Sequence, residues 1–328
     1  MVDQTVGILE QYELEILNVR KGRGHFIVNC KSGDFVLKEY NGSEEKAALQ
    51  RRLTEHITKN TEVSVQQLIE NKEGTFLSKD RDGNSFTLQT YQEGRECDLK
   101  DVGECHMAIH TMARMHKGMY IQVEKLSQPV TPYSLKREFE KRNTELRRIR
   151  RYLREKRNKN DFERFLYGNF NAFFEKALEV EEEWNTYEKY VYPEEGEAAF
   201  CHGDYQHHNV WVGTEGIMVL QFEKYLADLP CRDLYLFMRK LLEKNNWDKE
   251  VGLEVLREYE KVRPLPMIER ISMIYRFSYP EKFWKIANYY FNSKKSFMPE
   301  KNMEKLDKLL IQEREKGIFI GDILKNLL

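Results

Sequence analysis

The sequence predicts an α+β fold of two lobes, a small antiparallel β lobe with one helix followed by a large helical lobe. Short runs that alternate apolar and polar residues continue up to Tyr91. Helical periodicity begins near residue 103 and is interrupted once, at residues 200–225, by a loop, strand, turn, strand pattern. We therefore expect an N-terminal lobe at residues 1–93 and a C-terminal lobe at residues 94–328.

The β-rich part is predicted to contain strands on both sides of a single helix. YELEILNV, HFIVNC and FVLKEY are predicted strands, with turns at residues 21–24 and 32–34. Ser43 is expected to begin a helix, whose apolar stripe is Leu49, Leu53 and Ile57. VQQLIE, TFLSK and SFTLQTY then follow as further strands. The order indicates a helix inserted into an antiparallel sheet.

The helical part begins with ECHMAIHTMARMHKGM, at residues 104–119. This segment is predicted to place one set of residues on a single helix face: Met107, Ile109, Met112, Ala113 and His116. Further helices are expected over residues 132–160, 162–191, 232–260 and 266–325. The pattern NVWV, GTEG, IMVLQF indicates a small β-hairpin between them.

Composition and charge exclude several classes of protein. The 53 Lys and Arg residues nearly balance the 54 Asp and Glu residues, which argues against a nucleic-acid-binding protein. No apolar stretch approaches the roughly 20 residues that span a bilayer, and the N-terminus lacks the pattern of a secretory signal. We therefore expect a protein made in the cytoplasm, without a membrane segment. The five cysteines include no Cys-x-x-Cys pair, so we expect reduced, buried thiols.

The segment His202-Gly203-Asp204-Tyr205-Gln206-His207-His208-Asn209 has the pattern of a catalytic loop. An Asp followed five residues later by an Asn, in a loop that leads into a strand, serves phosphoryl transfer. The Asp can accept the proton of an attacking hydroxyl group, and the amide oxygen of the Asn can hold Mg²⁺. A zinc site that uses Cys201, His202, His207 and His208 is the alternative interpretation.

The loop HGDYQHHNV resembles the H-G-D-x-x-x-x-N loop of the protein-kinase-like superfamily, which includes aminoglycoside phosphotransferases and choline kinases. Arg232-Asp233-Leu234, the segment Met112–His116 and the aromatic run at residues 279–302 resemble the spore coat protein S (CotS) group of spore-forming bacteria. The resemblance implies a bilobal protein-kinase-like fold that uses ATP and Mg²⁺. It also implies a small hydroxyl substrate, other spore coat proteins as partners, and synthesis in the mother cell followed by localisation to the spore coat.

The resemblance assigns roles to residues of the C-terminal part. Asp204 corresponds to the catalytic Asp, and Asn209 corresponds to the metal-binding Asn. His202 corresponds to a histidine that supports the loop, and Asp233 to the Asp that braces the loop from the next helix.

In the N-terminal part, Lys38 corresponds to the lysine that holds the α- and β-phosphates of ATP. Glu93 and Gly94 fall near the hinge, where backbone groups would meet an adenine. Glu45 and Glu55 are both candidates for the carboxylate that pairs with Lys38, and the sequence does not decide between them.

One position departs from the pattern that the resemblance implies. The family has a second metal-binding Asp within an I-D-F-D stretch, and this sequence has Leu220-Gln221-Phe222-Glu223. Gln221 can present an amide oxygen to Mg²⁺ but brings no charge, whereas Mg²⁺ favours carboxylates. If this stretch is a strand, Glu223 lies on the same face as Gln221 and can partly compensate.

Three functions are consistent with these observations. The first is a spore coat-associated protein that binds a nucleotide and whose phosphotransferase activity is weak or lost because of Gln221. The second is an active ATP-dependent small-molecule phosphotransferase, with Asp204 as base and Asn209 and Glu223 on the metal. The third is a purely structural component of coat assembly. Nucleotide binding discriminates among them.

Two oppositely charged segments stand out in the helical part. Residues 136–159 contain twelve Lys or Arg and four Glu, whereas residues 175–197 contain nine Glu and two Lys. We expect solvated helices whose basic and acidic residues pair with each other. A surface for nucleic acid, an anionic substrate or another coat protein is the alternative. The aromatic residues from Phe277 to Phe291 are expected to form core and cleft wall. A partner surface, or tyrosines available for cross-linking in a coat, is the alternative.

Overall fold

The computed structural model describes residues 2–22, 24–126, 130–190, 196–292 and 299–327. The chain forms two compact units. The first consists of residues 1–131, 195–233 and 258–263, and the second of residues 132–194, 234–257 and 264–328. The expected lobe boundary after residue 93 lies inside the first unit and stays a prediction.

The elements up to residue 130 are, in chain order, α1 (Val2–Leu9), β1 (Ile16–Lys21), β2 (Phe26–Cys30), β3 (Gly33–Glu39), α2 (Glu44–Thr61), β4 (Ser64–Val65), β5 (Leu68–Ile69), β6 (Ser78–Lys79), β7 (Ser85–Tyr91), β8 (Gly94–Glu96), α3 (Val102–Lys117) and β9 (Tyr120–Gln122). The later elements are α4 (Leu135–Glu155), α5 (Asp161–Tyr187), β10 (Glu197–Ala199), β11 (Val210–Gly213), β12 (Gly216–Val219), α6 (Cys231–Lys244), α7 (Lys249–Val262), α8 (Met267–Ser278), α9 (Glu281–Asn292) and α10 (Pro299–Leu327). Of the described helices, none is long and apolar enough to cross a membrane.

The larger sheet is antiparallel and has the strand order β1-β2-β3-β7-β5, with β6 also paired to β7. Leu37 of β3 lies opposite Leu88 of β7, and both are fully buried. They pack with Ile8 of α1 and with Tyr12. The sequence did not predict α1, and the strand expected from Tyr12 begins only at Ile16, because Tyr12 is used in this apolar cluster.

Helix α2 forms where the sequence predicted it. The Ser43 side chain accepts a hydrogen bond from the backbone N–H of Lys46, as an N-cap residue does. Leu49, Leu53 and Ile57 are all buried, so the predicted apolar stripe is confirmed.

Helix α3 also forms as predicted, but its buried face differs by one residue. Ile109, Met112 and His116 are buried, whereas the Met107 side chain is 46% exposed. The expectation for Met107 was wrong because residues two apart on an α-helix point about 200° away from each other.

A second sheet, of order β4-β12-β11-β8, frames the loops that follow β10 and β12. The β11–β12 hairpin is antiparallel, β8 pairs antiparallel with β11, and β4 pairs parallel with β12. The sheet therefore fixes where the chain enters β11 at Val210 and where it leaves β12 after Val219.

An apolar core of the second unit is built by α4, α5, α9 and α10. Its members include Phe139 of α4, Phe170 of α5 and Phe283 of α9. The rings of Phe173 and Phe283 stack with centroids 4.4 Å apart. Most of the aromatic run is therefore core, as expected, whereas Tyr289 is 50% exposed. Residues 293–298 of the run, and residues 191–195 of the acidic segment, lie outside the described residues.

Candidate active site

The loop between β10 and β11 brings Asp204 and Asn209 together. Residues 207–209 form a short 3₁₀ turn at its end. The side-chain amide of Asn209 donates to the backbone oxygen of Asp204 at 2.8 Å and lies 3.4 Å from its carboxylate Oδ2. The two residues that the resemblance assigned to proton acceptance and metal binding are therefore in direct contact within the loop.

The amide oxygen of Asn209 is an unusual atom in this loop. Asn209 is fully buried, and its Oδ1 has no hydrogen-bond partner among the described residues. A buried acceptor without a partner costs about 1–3 kcal/mol, so such atoms are rare. A neutral oxygen with free lone pairs is a ligand that Mg²⁺ accepts. The residue therefore fits the metal-binding role that the sequence implied.

Asp233, in the first turn of α6, braces the start of the loop. Its Oδ2 accepts a hydrogen bond from the backbone N–H of His202 at 2.7 Å, and its Oδ1 accepts one from Gly203 at 2.8 Å. Gly203 has φ +79°, and a Cβ there would lie 2.1 Å from the backbone oxygen of Lys224. Only glycine fits this close approach.

His202 holds the loop through both ring nitrogens. Nε2 lies 2.8 Å from the backbone oxygen of Leu220, and Nδ1 lies 3.2 Å from the backbone nitrogen of Asp204. Burial lowers the pKa of His202, so the ring is neutral, with Nε2 as donor and Nδ1 as acceptor. A ring with both nitrogens used cannot ligate zinc, and the described residues contain no group of three His, Cys, Asp or Glu arranged for a metal.

The sequence did not assign a role to His116. Its Nε2 lies 3.4 Å from Oδ2 of Asp233, and its Nδ1 lies 2.7 Å from the hydroxyl of Tyr259. Burial of Asp233 opposes its ionisation, but the hydrogen bond and charge of His116 and the contacts of His202 outweigh this and lower the pKa of Asp233. These partners lie far apart in the chain, and no local pattern connects them.

Both carboxylate oxygens of Asp204 have side-chain partners. Oδ2 lies 2.7 Å from Nζ of Lys224, and Oδ1 accepts a hydrogen bond from the side-chain amide of Gln206. The Lys224 side chain is 67% exposed, whereas that of Asp204 is 13% exposed. The expected proton acceptor is thus paired with a cation that approaches it from the solvent side.

Lys38 of β3 pairs with Glu223. Its Nζ lies 2.7 Å from Oε1 and 2.9 Å from Oε2 of that residue, and the side-chain amide of Gln89 donates to Oε1 at 3.1 Å. Of the two candidates on α2, Glu55 pairs with Arg51 and Glu45 interacts with Ser43. The carboxylate that holds Lys38 therefore comes from the turn after β12.

Gln221 and Glu223 do not lie in a strand, so the expectation that they share one strand face was wrong. Strand β12 ends at Val219, Gln221 has φ 60° and ψ 55°, and residues 222–224 form a 3₁₀ turn. Phe222 is buried against the His202 ring, with centroids 4.6 Å apart. With Phe222 packed in this way, Gln221 is exposed at the surface and Glu223 contacts Lys38.

Glu93 and Gly94 lie at the start of β8, and both are exposed. Gly94 is opposite Gly213, and a Cβ on Gly94 would lie 2.5 Å from the backbone oxygen of Val212. This glycine is required by the close approach of two strands. Their role towards an adenine stays a prediction.

The chain matches a known protein family. The family model described as "Spore coat putative kinase YutH" matches residues 6–323. This match confirms the expected resemblance to spore coat proteins of the kinase-like superfamily. No curated protein matches the chain.

Solved structures show the same fold at low sequence identity. An aminoglycoside phosphotransferase from Alicyclobacillus acidocaldarius is 15% identical with a TM-score of 0.81, and the match covers 98% of this chain and 96% of that one. The AMP-bound spectinomycin phosphotransferase APH(9)-Ia is 14% identical with a TM-score of 0.62, covering 95% and 97%. The amicoumacin kinase hAmiN, in complex with AMP-PNP and Ca²⁺, is 11% identical with a TM-score of 0.61, covering 97% and 92%.

These likenesses establish the fold, and the family match extends over nearly the whole chain. The expected α+β, protein-kinase-like fold is confirmed. The chain belongs to the spore coat kinase family represented by YutH.

Proposed function

We propose that the protein is a spore coat-associated nucleotide-binding protein whose phosphotransferase activity is weak or lost. One observation carries this proposal. Asp204 and Glu223, the carboxylates assigned to proton acceptance and metal binding, are each paired with a lysine. The other candidate metal ligands, Oδ1 of Asn209 and the side chain of Gln221, are neutral amides. A site with this donor set holds Mg²⁺ less strongly than one with a free carboxylate.

Nucleotide binding is assigned to Lys38 and to the backbone near Glu93 and Gly94. Lys38 would hold the α- and β-phosphates with its ammonium group, which Glu223 and β3 keep in place. The backbone at Glu93 and Gly94 would meet the adenine. The complexes of spectinomycin phosphotransferase with AMP and of the amicoumacin kinase with AMP-PNP support a nucleotide in this fold.

Magnesium would be held by Oδ1 of Asn209, with Gln221 and Glu223 as further candidates. When bound with ATP, the metal neutralises charge on the phosphates. Asp204 would orient a hydroxyl group and accept its proton at Oδ2 once Lys224 withdraws. Gln206 would keep the carboxylate plane fixed through Oδ1. The absence of a carboxylate at Gln221 weakens the metal step and leaves the rest of this arrangement in place.

We also propose that the protein is made in the mother-cell cytoplasm and becomes part of the spore coat, where other coat proteins are its partners. The family to which the chain belongs supports this assignment. A small hydroxyl compound is the substrate class for any remaining activity, as in the aminopropanol kinase and spectinomycin phosphotransferase that share the fold.

The test is a thermal-shift titration of the full chain with ATP, with and without Mg²⁺, followed by a turnover assay. We expect ATP to raise the melting temperature, Mg²⁺ to add little, and turnover to be far below the roughly 1–100 s⁻¹ of kinases. Gln221→Asp should increase the Mg²⁺-dependent part of the shift. Gln221→Asn is the matched control, since it keeps a neutral amide, and it should behave like the unmodified chain.

Turnover at kinase rates by the unmodified chain would overturn the proposal. It would favour the second candidate, an active small-molecule phosphotransferase. That candidate is supported by the contact of Asp204 with Asn209 Nδ2 at 3.4 Å and by Oδ1 of Asn209, which has no partner among the described residues. In that case Asp204→Asn should abolish phosphorylation of an acceptor found in a panel of sugars, choline and aminoglycosides. A chain that binds no nucleotide would instead favour a purely structural role in coat assembly.

A further inference from the structure

The outward face of α4 carries a set of exposed cations. The side chains of five of them have no ion pair or hydrogen bond within the described part of the chain: Arg137, Lys141, Arg147, Arg148 and Arg151. We call these five the basic face. Cations elsewhere on the helix do have partners, such as Arg142 with Glu138. Arg154 lies 4.0 Å from Glu155.

Helix geometry concentrates the basic face on one side. At about 100° per residue, its five members span roughly a third of the helix circumference. The buried residues Phe139, Leu146 and Leu153 lie on the opposite side and join the core of the second unit. The basic face therefore points directly away from that core, and the expected pairing with the acidic segment occurs at the helix start, where Lys136 lies 3.8 Å from Glu188.

Helix α5 presents the opposite charge in the same way. Glu175, Glu179 and Glu182 are exposed, and we call them the acidic strip. Glu179 pairs with Lys176 at 2.9 Å, whereas Glu175 and Glu182 have no partner among the described residues. Phe173, Ala177 and Trp184 lie on the opposite side of α5, buried in the core that α4 shares. The acidic strip thus also points away from that core.

The two helices lie side by side and antiparallel. The side-chain amide of Asn143 donates to the backbone oxygen of Ala177 at 3.0 Å, and the Arg150 guanidinium lies 5.1 Å from the centroid of the Phe174 ring. Packed helix axes are about 8–10 Å apart. The surface therefore carries a row of positive charge next to a row of negative charge.

We propose that α4 and α5 form a self-association surface, on which the basic face of one copy contacts the acidic strip of a second copy. Two neighbouring rows of opposite charge are self-complementary. Rotating a second copy by 180° about an axis parallel to the helices places its basic face on the acidic strip of the first copy. The same rotation places its acidic strip on the basic face of the first copy. A nucleic acid fits less well, because the acidic strip beside the basic face repels a phosphate backbone.

The size of the surface sets the expected strength. A helix of 21 residues is about 32 Å long, and two adjacent helices are about 20 Å wide. The footprint is then roughly 600 Å² per copy, at the low end for specific interfaces. A surface of this size, held mainly by charge, gives a weak dimer that depends strongly on ionic strength.

The experiment is sedimentation velocity on the full chain at about 20 mM and about 500 mM NaCl, where screening differs several-fold. We expect dimers at low salt and at least about tenfold weaker association at high salt. Two double variants, R148E with R151E and E175K with E182K, should each be monomeric at low salt. An equimolar mixture of the two should associate again, because each variant then offers the charge that the other lacks.

A matched control is K301E with K308E, which makes the same charge change on exposed positions of α10 and should associate like the unmodified chain. Far-ultraviolet circular dichroism of each variant confirms that it folds. An unmodified chain that is monomeric at low salt, or variants whose mixture stays monomeric, would overturn the proposal. Salt-sensitive binding of a duplex DNA oligonucleotide through Arg148 and Arg151, without self-association, would overturn it in favour of a nucleic-acid surface.

Discussion

The Lys224 ammonium group lies 2.7 Å from Oδ2 of Asp204, the residue expected to accept a proton from a substrate. The lysine is largely exposed, whereas the aspartate is nearly enclosed. The contact can therefore break without disturbing the core, and its strength decides how available Asp204 is.

Lys224→Met is expected to change the free energy of unfolding by less than about 1 kcal/mol, because an ion pair with one exposed partner is screened by water. Urea denaturation at neutral pH measures this. Lys31→Met, which removes another exposed pair, with Glu15, is the control and should give a similarly small change. A loss of more than about 2 kcal/mol would mean that Lys224 is a structural part of the loop.

Glu223→Gln should raise the affinity for ATP in the absence of metal. It should also reduce the further increase in ATP affinity that Mg²⁺ causes. The substitution removes a negative charge close to the expected position of the triphosphate and frees Lys38 to bind phosphate. It also removes the carboxylate that is a candidate metal ligand and, among the described residues, the only one paired with Lys38. We expect a change of roughly tenfold, which is about 1.4 kcal/mol. Titration with a fluorescent ATP analogue, with Mg²⁺ or with EDTA, measures both affinities.

Glu55→Gln makes the same change of charge on α2, where the carboxylate pairs with Arg51, and it should leave both affinities unchanged. If the affinity of Glu223→Gln for ATP without metal falls instead, the main effect of Glu223 is to position Lys38. Competition between its carboxylate and the phosphates for Lys38 is then the smaller effect.

Gly203→Ala should destabilise the first unit by about 2–4 kcal/mol. The new Cβ would combine the strain of a positive φ with a clash at 2.1 Å against the backbone oxygen of Lys224. Gly83→Ala is the control, since Gly83 has φ +85° with nothing within 4 Å, and it should lose only about 1 kcal/mol. Equal losses for the two variants, measured by urea denaturation, would show that the clash relaxes.

Asp233→Asn should be strongly destabilising at neutral pH, by about 3–5 kcal/mol, because Asp233 is a buried carboxylate with several donors. Its pKa is lowered in the folded chain, so its stabilising effect is complete above the ordinary pKa of about 4. The effect is lost as the pH falls further, through the lowered value.

The difference in unfolding free energy between the unmodified chain and Asp233→Asn should therefore be constant from pH 7 to about pH 5 and shrink below about pH 4. Urea denaturation across this range measures it, and taking the difference cancels the titration of other carboxylates. A difference that persists undiminished to the lowest pH at which the chain is folded would contradict ionisation of Asp233.

Local patterns were sufficient for much of the fold. Ser43 as the start of α2 and the stripe at Leu49, Leu53 and Ile57 follow from helix capping and periodicity, and the structure confirms both. The proximity of Asp204 and Asn209 was also predictable, because Asn209 follows Asp204 by only five positions in the same loop.

Contacts between distant residues could not be predicted from such patterns. Glu223 lies 185 residues from Lys38, and the sequence favoured carboxylates of α2 instead. The pairing depends on the left-handed conformation of Gln221, which ends the strand and turns Glu223 towards β3. Helix α1 was missed because its apolar residues are recognisable as core only once the sheet that they cover is known.

All five cysteines are buried thiols, and all of them lie in the first unit: Cys30, Cys97, Cys105, Cys201 and Cys231. Burial raises the pKa of the Cys97 thiol to about 12, which further suppresses its reactivity. A thiol reagent can then modify the native chain only when the first unit opens. The rate of alkylation therefore measures how often the first unit opens locally. Opening of the second unit, which contains no cysteine, adds nothing directly to this rate.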